Sequence, residues 1–251
     1  VKDLTKKFSL PGGMGEFTVL DSISLEVEEG KFASIVGPSG CGKSTLLNII
    51  AGIETHTSGS LKVHSKVALA NPTAHIGYVF QNPRLLNWLT VKDNIEFALE
   101  AQNIGRERWH DLVTKYLEMV GLEGQELNYP LNLSGGMQQR VAITRALAIE
   151  PDILLMDEPF SHLDEITARK MRLDLMEILQ RAKTTILFVT HDLREAVFLS
   201  DQIYMMSTKP ARIFKRVQVE IPRPRRPEDP SLFDLEKELI SEFFTVLEAQ
   251  S

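Results

Sequence analysis

The 251 residues carry 28 Lys and Arg against 34 Asp and Glu, a formal net charge of −6, with 43% hydrophobic and 25% charged residues. That is ordinary globular usage, enough for one good core with a subdomain, and its acidic balance argues against a nucleic-acid partner, which favours basic surfaces. No apolar run approaches the roughly 18 to 20 residues that span a bilayer, "VKDLTKKF" holds no signal-peptide core, and the single cysteine, Cys41, excludes an internal disulfide and a cysteine-built zinc cage.

One lone thiol fits a reducing cytoplasm, and a sequence headed by Val1 and not Met is expected to begin inside a longer natural chain. From Val19 to Val27 the pattern alternates, with Ile23, Leu25 and Val27 inward, and predicts a half-buried strand. Glu29-Gly30-Lys31 is a turn. "FASIVG" is a second strand that runs into "GPSGCGKST" at 37 to 45, and "STLLNIIAG" has helical spacing that stops at Gly52.

Between about 82 and 150 the character is helical. "TVKDNIEFALEAQNIG" and "RWHDLVTKYLEMVGL" both show helical spacing, the second through Trp109, Leu112, Val113, Tyr116, Leu117 and Val120. A long helix is expected from near Ser134. Continuous apolar runs follow, "ILLM", "TILFVT" and "IYMM", separated by helical stretches at 164–182 and 192–199. Such runs predict a parallel sheet buried on both faces. "RVQVEI" returns to alternation. "IPRPRRPEDP" at 221–230 cannot be regular, and its arginines face either lipid headgroups or solvent. Leu232, Leu235, Leu239, Ile240, Phe243, Phe244 and Leu247 then predict a terminal amphipathic helix.

Two stretches carry chemistry. Gly37, Pro38, Ser39, Gly40, Cys41, Gly42, Lys43 and Ser44, with Thr45 next, fit G-x-x-x-x-G-K-[ST] between a strand and a helix. Backbone N–H groups of such a loop wrap phosphates, the helix start attracts negative charge, Lys43 reaches the phosphates and Ser44 ligates Mg²⁺. A reagent on Cys41 would then block the loop by bulk. In "ILLMDEP" a buried strand ends at Asp157, which aims a carboxylate at the metal. Glu158 next to it can polarise a water as general base. No N-K-x-D guanine motif and no H-R-D kinase loop occurs.

"LSGGMQQR" at 133–140 resembles the LSGGQ signature of ABC-type ATPases, with Met137 in the last place. Ser134, Gly135 and Gly136 at a helix start make a second phosphate site, and one site has no need of two. The resemblance supplies a reason: two ATPase domains pack head to tail, and Ser134 of one completes the nucleotide site of the other. Further motifs follow in family order. Gln81 in "VFQNP" resembles the Q-loop glutamine near Mg²⁺ and the attacking water. "SHLD" resembles the D-loop, with Asp164 crossing the dimer interface and His162 in place of a small residue. His191 in "VTHD" resembles the switch histidine that contacts the γ-phosphate. Adenine is expected on Phe8, with Phe17 the competitor.

The resemblance covers about residues 1–220. It implies an α/β fold, a P-loop NTPase of ABC type with a mixed sheet core, an N-terminal antiparallel β subdomain and a helical subdomain inserted at about 82–150. Residues 221–251 are expected as linker and helix. "FQNPRLLNWLTVKDNI" looks like the nitrate, sulfonate and taurine importer group, with Asn87 for the usual proline. The implied function is an ATP hydrolase, using ATP and Mg²⁺, that dimerises on ATP with an identical or a different ATPase subunit. It would power uptake of a small anion (nitrate, bicarbonate, cyanate, sulfonate or taurine type) from the cytoplasmic face of the inner membrane. Its partners would be transmembrane permease subunits, fed by an extracytoplasmic solute-binding protein. Permease helices would press on Asn82 to Asn94, where Leu85, Leu86, Trp88 and Leu89 are apolar. Two other readings stand beside it: a non-transport ABC ATPase of the Fe–S assembly type, and the ATPase of an exporter.

Overall fold

In the computed structural model the chain is described at residues 1–10, 12, 15–63, 74–161, 163–181 and 184–248. It begins with β1 (Lys2–Ser9), β2 (Glu16–Ile23), β3 (Phe32–Val36), α1 (Lys43–Ile50) and β4 (Ser58–Ser60). There follow β5 (Ile76–Val79), α2 (Val91–Ala101), α3 (Trp109–Met119), α4 (Gly135–Leu147), β6 (Ile153–Asp157) and α5 (Glu165–Arg181). The last part forms β7 (Thr185–Thr190), α6 (Leu193–Leu199), β8 (Gln202–Met206), β9 (Ile213–Gln218) and α7 (Pro230–Glu248). Two units result, Val1–His64 with Thr185–Ser251, and Ser65–Thr184. No described helix is long and apolar enough to cross a membrane.

In the first unit β3 lies between β7 and β8, parallel to both, and β9 pairs antiparallel with β8. The continuous apolar runs are the reason: every residue of β3 and β8 is buried, as both faces of a covered parallel strand must be. Val36 is level with Thr190 on one side and Met205 on the other. The carboxyl ends of the three strands therefore share one edge, where ligands of such sheets gather. A separate antiparallel sheet has the order β2-β1-β4.

The strand predicted through Val27 stops at Ile23. Leu25 is still buried, but the backbone of Glu26 turns to a side chain: its N–H donates to the Tyr204 hydroxyl at 3.0 Å, and that hydroxyl donates to its carbonyl. Hydrophobic alternation continues where the ladder does not.

The proline and arginine stretch is irregular and mostly exposed, but its arginines differ: Arg226 is exposed, Arg223 half-buried and Arg225 buried. Arg225 is 5% exposed, and its guanidinium donates to the carbonyls of Val197, Phe198, Ser200 and Ile221 at 2.7–3.1 Å. Three of these lie at the carboxyl end of α6, where carbonyls lack helical partners. Arg223 adds a bond to Leu199 O and an ion pair with Asp201. Burial lowers the Arg225 guanidinium to about 10, so it stays charged at neutral pH. α7 then packs on α6, tied by Arg194 to Glu236, by Lys215 to Glu242 and by the rings of Phe214 and Phe243.

In the second unit β5 and β6 are parallel, with Val79 level with Met156, so Gln81 and Asp157 leave the same end of the pair. The stripe of α3 buries Leu112, Val113, Tyr116 and Leu117. Helix α2 starts at a capping box of Thr90 and Asp93. Before it, residues 86–90 are fixed by Asn94, which has no exposure. Its amide donates to the carbonyls of Leu86, Leu89 and Thr90, and its Oδ1 accepts from Leu86 N, all within 3.2 Å. Arg145 of α4 holds the carbonyls of Pro83 and Arg84. Replacing Asn94 by Leu strands these backbone groups. We expect a loss of roughly 3 kcal/mol in urea unfolding, and faster proteolysis at residues 83–90.

Candidate functional site

The phosphate loop leaves β3 at Gly37 and enters α1 at Lys43. Helix α1 has no side-chain cap at its start, and a helix start favours an anion. Gly42 is required there: its φ is 126°, and a Cβ would stand 2.9 Å from side-chain carbons of both Val19 and Leu20. Lys43 is 3% exposed, and its ammonium donates to Gly37 O at 2.9 Å and Pro38 O at 3.0 Å. The loop thus curls around the cation that the sequence assigns to phosphate. Ser39, Gly40 and Ser44 are exposed, and Pro38 and Thr45 are half-buried.

Phe8 and Phe17 prove to be neighbours. They pair across β1 and β2, with ring centroids 5.8 Å apart and planes 27° from parallel. Lys6 was not foreseen. Its ammonium lies 4.6 Å from the Phe8 centroid and bonds Glu54 and Thr55 O, and that bond holds the Glu54 carboxyl below the usual range. Phe17, at 41% exposure, is the more open ring. His191 is exposed just beyond β7.

In the second unit Asp157 ends β6 at 7% exposure and Glu158 follows half-buried. Glu158 has a φ of 42°, a conformation that costs a non-glycine residue roughly 1–3 kcal/mol. Gln81 reaches it indirectly: its amide donates to Ser161 Oγ at 3.2 Å, and Ser161 Oγ donates to Glu158 O at 3.0 Å. Ser161 is the bridge, and as the first letter of "SHLD" it carried no signal of that role. Burial and the charge of Asp157 push the Tyr78 hydroxyl up, so Tyr78 stays protonated beside the acid.

Ser134 caps α4, accepting from Met137 N at 3.3 Å, and Asp164 accepts from Thr167 N at 3.0 Å at the start of α5. Bonds from Thr167 hold the Asp164 carboxyl below its usual range. The two signature glycines differ. A Cβ on Gly136 would stand 2.9 Å from Thr167 Cγ2, whereas one on Gly135 meets nothing within 4 Å. His162 lies outside the described residues.

These motifs can be set against known proteins. Residues 20–161, more than half of the chain, match the ABC transporter family model. The chain belongs to the ABC transporter family. It is an ATP-binding subunit of that family, an ATPase coupled to transport, with the α/β P-loop fold that the resemblance implied. It is 46% identical to an uncharacterized ABC transporter ATP-binding protein of Methanocaldococcus jannaschii, over 90% of this chain and 83% of that one. It is 44% identical to an aliphatic sulfonates import ATP-binding protein of Burkholderia lata (91% and 82%). A nitrate import ATP-binding protein of Synechocystis is 43% identical (88% and 82%). Among solved structures, a dimeric bacterial ABC transporter cassette superposes with a TM-score of 0.74 at 32% identity, over 88% of this chain and 98% of that one. A dimeric cassette in a post-hydrolysis state, bound to ADP and Pi, gives 0.72 at 33% identity, with the same coverage.

Cys41 lies inside the phosphate loop. It is 2% exposed, and burial raises its thiol above the usual value despite Lys43 nearby. A thiol reacts as its thiolate. Alkylation at pH 7 is therefore expected to be slow, and to accelerate only above the ordinary thiol range, as a pH series with iodoacetamide and mass spectrometry would show. Rapid labelling at pH 7 would mean that the loop opens.

Proposed function

We propose that this chain is the ATPase of an importer for a small anion of the sulfonate or nitrate class. The names of its relatives favour import over export and over Fe–S assembly. The observation that carries the catalytic reading is the difference between the signature glycines. Gly136 is needed by its own fold. Gly135 has no internal reason to lack a side chain, so its reason is taken to lie outside the chain, in the close approach of a second subunit's nucleotide.

Roles follow residue by residue. Lys43 and the N–H groups of Gly37 to Thr45 hold the ATP phosphates, and Phe8, with Phe17 beside it, takes the adenine. Asp157 and the Ser44 hydroxyl are hard oxygen donors that suit Mg²⁺, which binds through few protein groups plus phosphate; Gln81 completes the set. The ion would supply charge neutralisation of the transferred phosphoryl group. Glu158 takes the proton of the attacking water, and its carbonyl, through Ser161 and Gln81, ties the base to the Q-loop. His191 steadies the γ-phosphate. Ser134, Gly135, Gly136 and Asp164 serve the partner's nucleotide.

ATP held by both subunits closes the dimer, and closure moves the segment from Asn82 to Asn94. Trp88, 74% exposed on a loop pinned by Asn94, suits contact with a permease subunit at the cytoplasmic face of the membrane. A solute-binding protein outside would choose the anion. The core would span about residues 1–220, with 221–251 as a linker and helix that pack back on α6.

Glu158→Gln is expected to bind ATP, to dimerise on a sizing column and to lose about a hundredfold or more in turnover; rapid turnover removes Glu158 as base. Gly135→Ala is expected to leave thermal unfolding unchanged and to abolish ATP-driven dimerisation. A pull-down from native membranes that retains only soluble partners would refute the importer reading.

A further inference from the structure

We infer that helix α6 is a carrier for His191 held at both ends, and that Glu195 and Arg225 are positioning residues for ATP hydrolysis. The inference rests on the reading of His191 as the γ-phosphate residue. The near end is a buried tie. Thr190 is 1% exposed and Glu195 7%. Thr190 Oγ1 donates to Glu195 Oε2 at 2.6 Å and accepts from Asp192 N at 3.0 Å. His191 sits between the two residues whose atoms are bonded, so its backbone is fixed from both sides. Asp192 then accepts from Arg194 N at 2.8 Å and starts α6.

The far end is the Arg225 guanidinium on the carbonyls of Val197, Phe198 and Ser200. α6 is seven residues long, about two turns, and a helix so short has little stability of its own. With Arg225 absent, its last carbonyls lose their donor and Glu195 loses its fixed place. The histidine then wanders, and misplacement by an ångström is enough to cost rate. The C-terminal linker, outside the phosphate-loop motifs, thus acts on hydrolysis through α6.

The test is a set of cycles on the full chain, with kcat, KM and the affinity for a fluorescent ATP analogue measured for each variant. Thr190→Val keeps the shape of the strand residue and removes only the hydroxyl. It is expected to lower kcat about tenfold or more, with KM and nucleotide affinity unchanged, and Thr190→Ser is expected to restore kcat. Arg225→Met is expected to behave like Thr190→Val; Arg225→Lys replaces it in the cycle if Arg225→Met is insoluble. In a His191→Ala background neither change should lower kcat further. A merely structural tie would lower kcat by the same factor in both backgrounds, and that result, or full turnover by Thr190→Val, overturns the inference. Full turnover by His191→Ala alone overturns the role of the histidine, and the inference falls with it.

Discussion

The ammonium of Lys43 is buried and is held by the backbone carbonyls of Gly37 and Pro38. A charge taken out of water needs partners placed around it, and that need dictates much of the surrounding chain. The loop must turn back on its own carbonyls, which places Gly42 at a φ closed to other residues and presses it on Val19 and Leu20. Those two belong to β2, so the antiparallel sheet and the phosphate loop are built as one piece. The strand feeding the loop must hold still, and β3 does so by being buried along its whole length between two parallel neighbours.

The same economy of placement appears at each strand end. Parallel pairing puts Val36 level with Thr190, and Val79 level with Met156. The residues just beyond are the ones to which the proposed function gives chemistry: the loop and His191 in one unit, Gln81 and Asp157 in the other. Most side chains inside these strands are apolar and serve packing. The reactive groups stand one or two residues past the last rung, where the backbone is free to turn and, at Glu158, is forced into an unfavourable conformation.

What was legible in the sequence was whatever depends on spacing along the chain. The loop motif, the unbroken apolar runs and the helical stripe of α3 each have a fixed period, and each folds where it was read. What depends on a partner far along the chain was not legible. Asn94 looks like any polar residue near a helix start, yet it organises a loop. Ser161 bridges Gln81 and Glu158 across 80 residues. The end of β2 was misplaced because a tyrosine more than a hundred residues away takes over the backbone of Glu26. The arginines of "IPRPRRPEDP" were expected at lipid headgroups or in solvent; Arg226 is exposed, but Arg225 is buried because its guanidinium finds carbonyls.

Arg225 also bears on the order in which the molecule can be completed. During synthesis the motifs for phosphate, signature and switch all emerge before residue 225. Until that residue emerges, the carbonyls of Val197, Phe198 and Ser200 lack their guanidinium donor. Domains fold as synthesis proceeds, so a nascent chain can carry a complete set of ATPase motifs while α6 still frays. The far end of α6 is then completed only when residue 225 arrives.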